Sequence, residues 1–248
     1  MKHLRLIIAV LIIGLTFIIS LFVAIIPALL LHLVGLHRSS EAWKRINGTN
    51  IARIILWSLG VKTDVGGLEL IPTDEAAICF VSNHQSMLDI PLVMARLGIW
   101  AGFITKSELK KVPILNFWIN AMHCVYIDRK SPRSSIDAIL KGVKHIKEGI
   151  PMFIFPEGTR SKTGELGAFK AGSLKLATRA KATIVPIAID GSNLIMKRQR
   201  GTKHHPVRLH VLTPIPTADL QEEELKVLPQ HVFSAIEKQF MLWNSQDD

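Results

Sequence analysis

The chain has 248 residues, a formal net charge of +10 at neutral pH and a pI near 9.8, long enough to bury one sizeable core plus an appendage. Such a basic surplus points to nucleic acid or to an anionic membrane surface. Nucleic acid is set aside, because aromatics are sparse (one Tyr, five Trp), no zinc-ligand spacing occurs and the chain opens on an apolar segment.

From Leu6 to Leu36 there is no Asp, Glu, Lys or Arg. As a continuous helix this run would measure about 46 Å, against roughly 30 Å for a bilayer's hydrocarbon core. It is too long for a signal peptide's apolar region, and no small-residue cleavage site stands out. Two arrangements fit a membrane anchor over 1–38: one tilted spanning helix, or a helical hairpin bent near Pro27 or Gly14. Pro27 interrupts the run and both flanks are basic (Lys2, Arg5; Arg38, Lys44, Arg45), which favours the hairpin. Residues 39–60 then read as an amphipathic helix, with Trp43, Ile46, Ile51, Ile54, Ile55 and Trp57 among Lys44, Arg45 and Arg53. Such a helix suits the membrane interface, and equally suits packing on a domain.

Over 61–248 strand-like and helix-like runs alternate. The strands are read at 61–68, 76–81, 101–105, 124–127, 152–155, 183–189 and 207–212, and the helices at 87–96, 114–121, 134–148, 173–180 and 218–243. Helix 134–148 has the clearest period, with Ile136, Ile139, Leu140, Val143 and Ile146 on one stripe and Gly149 as its stop. The alternation predicts an α/β class: a largely parallel central sheet with flanking helices, preceded by the N-terminal membrane-embedded helical segment. Functional groups should then gather on loops beyond the strand ends. The two cysteines, Cys79 and Cys124, lie in or beside apolar runs and read as buried reduced thiols.

The run Ser82-Asn83-His84-Gln85-Ser86-Met87-Leu88-Asp89 follows a buried strand and leads into a helix. An imidazole titrates near neutral pH, and a carboxylate on one ring nitrogen fixes its tautomer and stabilises the cation formed when the other nitrogen takes a proton. A five-residue step on a regular helix would turn the two side chains about 140° apart. His84 and Asp89 therefore meet only if His84 precedes the helix that carries Asp89. Ser86 offers a nucleophile beside His84, although that spacing more often makes a helix cap. The chain lacks the Gly-x-Ser-x-Gly elbow of a serine acyl-enzyme. A metal held by His84, Asp89 and His123 has no recognisable ligand spacing, so none is expected.

Phosphate recognition wants arginine, a hydroxyl and free backbone N–H groups. Gly158-Thr159-Arg160 supplies them on the loop after strand 152–155, and Arg129 ends strand 124–127. On its own, Arg129 reads as a partner of Asp128 or a solvated charge. Glu157 suits holding an arginine, bonding a hydroxyl or turning the loop. Lys106 is a further anion contact. Pro186 reads as a strand edge or a bulge.

Taken in order, Asn83-His84-Gln85-Ser86-Met87-Leu88-Asp89, Val125-Tyr126-Ile127-Asp128-Arg129, Phe155-Pro156-Glu157-Gly158-Thr159-Arg160 and Ile184-Val185-Pro186-Ile187-Ala188-Ile189 resemble the four motifs of the glycerophospholipid acyltransferase family. The likeness runs from about Gly60 to about Pro216 and is greatest to bacterial 1-acyl-glycerol-3-phosphate acyltransferases. It implies transfer of a fatty acyl group from acyl-CoA or acyl carrier protein to the sn-2 hydroxyl of lysophosphatidic acid, with no cofactor or metal. His84 and Asp89 would be the catalytic dyad, and Arg129, Glu157, Gly158, Thr159, Arg160 and Lys106 the acceptor site. It also implies the bacterial inner membrane as the location, with the catalytic domain on the cytoplasmic side. The segment after Pro113 lacks the glycine common in the family, and His123-Cys124 stand where small residues are usual; both bear on acceptor and chain-length preference. The rival readings are a lysolipid with a larger headgroup or a lyso-ornithine lipid as acceptor, a membrane lipid phosphatase or hydrolase, and a non-catalytic lipid-binding protein.

Overall fold

The computed structural model describes residues 2–74, 77–128, 130–161, 163–170, 172–196 and 206–247. The apolar run is one long helix: α1 (Lys2–Ser20), a π-helical turn (Leu21–Ile25) and α2 (Ile26–Leu33). It passes unbroken through Gly14 and Pro27. Pro27 sits in the first turn of α2, just after the π turn, where a missing N–H is tolerated. The reversal expected near Gly14 or Pro27 comes instead at Gly35 (φ +81), and α3 (His37–Ser58) runs back along the first helix. Two contacts fix this hairpin. Ser40 Oγ donates to the Ala28 carbonyl at 2.8 Å, and the Arg5 guanidinium lies so close to Gly60 that a Cβ there would stand 1.9 Å from Nη2.

The remaining chain builds β1 (Thr63–Gly66), β2 (Ile78–Ser82), α4 (Asp89–Arg96), β3 (Gly102–Lys106), α5 (Pro113–Ala121), β4 (Val125–Ile127), α6 (Pro132–Lys147), β5 (Met152–Ile154), α7 (Lys175–Ala180), β6 (Thr183–Asp190), β7 (Val207–Val211) and α8 (Glu222–Asp247). The seven strands form one sheet in the order β1-β7-β6-β2-β5-β3-β4. Every neighbouring pair is parallel except β6/β7. This is the largely parallel sheet that the alternating runs predict. Local signals set the helix ends. In α6 the Ser131 hydroxyl caps Ser134 N–H, Pro132 occupies the first turn, Lys144, His145 and Lys147 lie in the last, and Gly149 (φ +78) stops it.

Strand side chains alternate between two cores. Phe80, Val185, Ile187, Ile189, Phe103 and Phe153 pack towards α3 and α4. Cys79, Val81, Ile184, Ala188, Met152 and Ile154 pack towards α6, α7 and α8. Helix α3 is thus part of the domain core, through Ala52, Ile55 and Leu56, as well as the return arm of the hairpin. Ala24 and Ile25 of the π turn pack on Trp118 and Ala121 of α5, where Trp118 Nε1 donates to Ser20 Oγ at 3.3 Å. Much of the hairpin's outer surface is apolar and exposed, including Leu11, Phe22, Leu30 and Leu33 on the first arm and Ile46 and Trp57 on α3. The stretch Leu4–Leu33 is long and apolar enough to cross a membrane.

Pro186 lies in the central strand β6, which overturns the edge reading and keeps the bulge. Ile187 pairs with Val211 and Ile184 with Ile215, so two residues of β6 face three of the returning chain. Pro186 sits in that interruption, where its carbonyl accepts Leu212 N–H and its missing N–H removes no ladder bond. Both cysteines are unpaired thiols. Burial pushes Cys79 far up and Cys124 up to about 12, the latter countered in part by the Phe103 N–H that points at its sulfur.

Candidate active site

At the C-terminal end of β2 the chain turns away from the sheet, and Asn83 carries the pairing on in side-chain form. Its Nδ2 donates to Ile189 O at 2.8 Å, and Ile189 N donates to its Oδ1 at 2.9 Å. His84 follows on the loop and Asp89 opens α4, the arrangement that the five-residue step requires. His84 Nδ1 lies 2.7 Å from Asp89 Oδ2. The Asp89 side chain is wholly buried, while the His84 side chain keeps 18 % exposure. An ionised carboxylate only accepts hydrogen bonds, so Nδ1 carries the proton towards it and Nε2 presents a lone pair.

Asp89 is held on all sides. Its Oδ2 also accepts the N–H groups of Gln85 (2.8 Å) and Ser86 (2.9 Å), and its Oδ1 accepts the Ser192 hydroxyl. The start of α4 adds a favourable dipole for the negative charge. The Ser86 oxygen accepts Leu88 N–H at 3.2 Å, the role of a turn cap.

The loop after β5 clasps His84 from the other side. Phe155 stacks on its ring, with centroids 3.9 Å apart and planes at 16°. Glu157 Oε1 accepts His84 N–H at 2.8 Å, and Ser161 N–H donates to the His84 carbonyl at 2.7 Å. Gln85 reaches further along that loop, donating to Gly164 O at 2.8 Å. Glu157 also accepts the Gly167 N–H. A Cβ at Gly167 would stand 2.7 Å from Glu157 Oε2, so this close approach needs glycine. The geometry displays a role outside the three expected for Glu157, a brace between two loops.

Burial pushes the Glu157 carboxyl up to about 7; the His84 and Gly167 N–H groups oppose that rise and the Asp89 charge adds to it. Its ordinary value is 4.5, so between there and about 7 the folded protein holds a proton that the unfolded chain has released. Stability should therefore fall as pH rises through this window. Thermal unfolding followed by circular dichroism from pH 4.5 to 8 should show this decline, and Glu157→Gln should flatten it. An equal slope in that variant would assign the decline to other groups.

The described acceptor-site candidates, Gly158, Thr159, Arg160 and Lys106, gather at the same end of the sheet, since β2, β5 and β3 are successive parallel neighbours. Gly158 adopts φ +70, and a Cβ there would meet Lys170 Nζ at 2.7 Å, so Lys170 overlies this loop. Thr159, Arg160 and Lys106 are exposed. Arg129 lies outside the described residues. The structure thus brings Asp89 and Glu157 each against His84 and leaves Thr159, Arg160 and Lys106 around the edge. Sequence reading missed Gln85, Ser192 and Lys170 as site groups and Phe155 as the ring that stacks on His84. His123 precedes β4, at the opposite end of the sheet from His84, and among the described residues no group of three or more His, Cys, Asp or Glu could hold a metal ion. A cleft of about 630 Å³ beside Arg45, Trp100 and His123 also lies at that far end, where Ile78 and Pro151 line it.

Comparison with known proteins bears on this arrangement. The family model described as Acyltransferase matches residues 62–190, just over half of the chain. A chloroplast 1-acyl-sn-glycerol-3-phosphate acyltransferase of Brassica napus is 37 % identical over 169 residues, covering 66 % of this chain and 49 % of the relative. The enzyme of that name from Borreliella burgdorferi is 29 % identical over 187 residues, covering 75 % and 74 %. The matched segment spans about half the length of the first chloroplast relatives. The crystal structure of the 1-acyl-sn-glycerophosphate acyltransferase of Thermotoga maritima superposes with a TM-score of 0.75 at 26 % identity, covering 96 % of this chain and 98 % of that one.

Proposed function

We propose, because the chain belongs to the acyltransferase family, that it moves a fatty acyl group from an acyl thioester to the sn-2 hydroxyl of 1-acyl-sn-glycerol-3-phosphate, giving phosphatidic acid. The observation that carries this reading is the 2.7 Å His84–Asp89 contact, which leaves Nε2 of a partly exposed ring as a base at the C-terminal edge of the parallel strands. Nε2 takes the hydroxyl proton as the oxygen attacks the thioester carbonyl. The tetrahedral adduct then collapses, breaking the C–S bond, and the imidazolium returns the proton to the leaving sulfur. Asp89 stabilises the imidazolium between the two transfers. No covalent acyl-enzyme is needed.

Arg160, Thr159 and the backbone around Gly158 grip the acceptor phosphate, joined by Arg129 and Lys106. The thioester is acyl-CoA or acyl carrier protein, a co-substrate rather than a cofactor. The hairpin's apolar surface attaches the protein to the membrane, which we assign to the bacterial inner membrane, with the catalytic domain on the cytoplasmic side.

Mass spectrometry of products from purified protein, offered mixed lysolipids with each donor, tests this reading. Phosphatidic acid formed from lysophosphatidic acid is expected. Preferential acylation of a lyso-ornithine lipid or a large-headgroup lysolipid would change the acceptor. Release of free phosphate or fatty acid without acylated product would replace transfer by hydrolysis. Arg160→Lys keeps the charge but loses the two-pronged geometry. It should raise the acceptor KM about tenfold, the scale of one charged hydrogen bond, with a smaller change for the donor. An equal effect on both substrates would reassign Arg160 to the donor or to folding.

A further inference from the structure

We propose that Ser192 is a positioning residue for the dyad, holding the Asp89 carboxylate in the one orientation that serves His84. The inference rests on the transferase reading above and concerns a residue from a distant element. Ser192 lies in the short helical turn after β6, 103 residues from Asp89 in sequence, and is 1 % exposed. Its hydroxyl donates to Asp89 Oδ1. The other carboxylate oxygen, Oδ2, receives three donors: His84 Nδ1, Gln85 N and Ser86 N.

The torsion that sets an aspartate's carboxylate plane is broad and roughly two-fold. The two oxygens are chemically alike, so only the donors around them decide which way the plane lies. Three donors crowd one oxygen, and the Ser192 hydroxyl donates to the other. Without it, a buried oxygen loses its donor, and the carboxylate can twist to share the donors at Oδ2 between both atoms. The imidazole would then lose the alignment of its Nδ1–H, and with it the aim of Nε2. The serine is itself fixed from behind, because its N–H donates to Gln85 Oε1 at 3.2 Å while Gln85 Nε2 holds Gly164. One buried serine thus joins the loops after β6, β2 and β5 at the carboxylate.

Steady-state kinetics of Ser192→Ala in the full-length protein tests this. We expect kcat to fall about tenfold to a hundredfold, the scale of a small misplacement of a catalytic group, with both KM values within about twofold because Ser192 is buried behind Asp89. In the Asp89→Asn background the same substitution should change kcat by less than about twofold, since the carboxylate whose alignment Ser192 sets is no longer there to stabilise the imidazolium. A purely packing role would lower kcat equally in both backgrounds. Ser192→Cys, which keeps the shape and replaces the hydroxyl by a weak donor, should also lose kcat while folding normally by circular dichroism. Wild-type kcat in either variant, an undiminished loss in the Asp89→Asn background, or failure of both variants to fold would each overturn the assignment. Wild-type protein that makes no phosphatidic acid would instead overturn the transferase reading itself.

Discussion

His84→Ala should lower turnover by at least about 10²-fold and up to about 10⁴-fold, the usual worth of general-base assistance. Among the described residues no other imidazole stands on the loops at this end of the sheet to replace it. Asp89→Asn should be nearly as severe, for a separable reason. An amide can keep its oxygen where Gln85, Ser86 and His84 donate. Its NH₂ would face Ser192, whose hydroxyl can accept as well as donate. Geometry is then conserved while the negative charge that stabilises the imidazolium is lost. The expected signature is a fall in kcat with little change in KM and an unchanged thermal midpoint. Near-normal turnover in folded His84→Ala protein would remove the mechanism.

Deleting residues 1–38 should shift the protein partly from the membrane to the soluble fraction, with further release in high salt. Attachment through buried apolar surface goes with the first arm of the hairpin. The basic surface that remains contributes about 1 kcal/mol per well-placed Lys or Arg and is screened by salt. Helix α3 stays, so the packing of Ala52, Ile55 and Leu56 in the core shared with α4 survives, and with it the support of Asp89. The deletion does strip Ser20 from Trp118 and Ala28 from Ser40, so the thermal midpoint should drop. Activity towards acceptor dispersed in detergent should persist better than activity towards acceptor in vesicles. A folded truncated protein inactive towards both would mean that the first arm helps to build the site.

What could be read from the chain alone was what local chemistry writes locally. Each strand was visible as a short apolar run, and α6 as a stripe closed by Gly149. The dyad was legible because both members and the turn between them lie within six residues. The reversal of the hairpin was misplaced for a physical reason. Proline breaks a helix where an N–H is needed and where its ring meets the carbonyl one turn back, and in the first turn after the π turn at Leu21–Ile25 it is tolerated. Gly35, with its positive φ, was the stronger stop, but it sits inside the same apolar run and carries no contrast in polarity. Ser192 and Gln85 were out of reach for another reason: their partners lie across strand neighbours that are distant in sequence. Sheet order is a tertiary outcome, and a lone serine after a buried strand has no pattern to announce it. The Glu157 brace was hidden likewise, since a carboxylate in a loop gives no sign of which N–H groups will surround it.

The state of the two thiols has a practical consequence. At neutral pH Cys79 and Cys124 hold almost no thiolate, the species that attacks maleimides and iodoacetamide. The natural chain is therefore close to chemically silent towards such reagents while it stays folded. A single cysteine placed at Met87, which is 66 % exposed on the His84 loop, would be the preferred point of attack. A fluorophore or spin label could be attached there without first removing the native cysteines, and would report how deeply the mouth of the site sits against a bilayer.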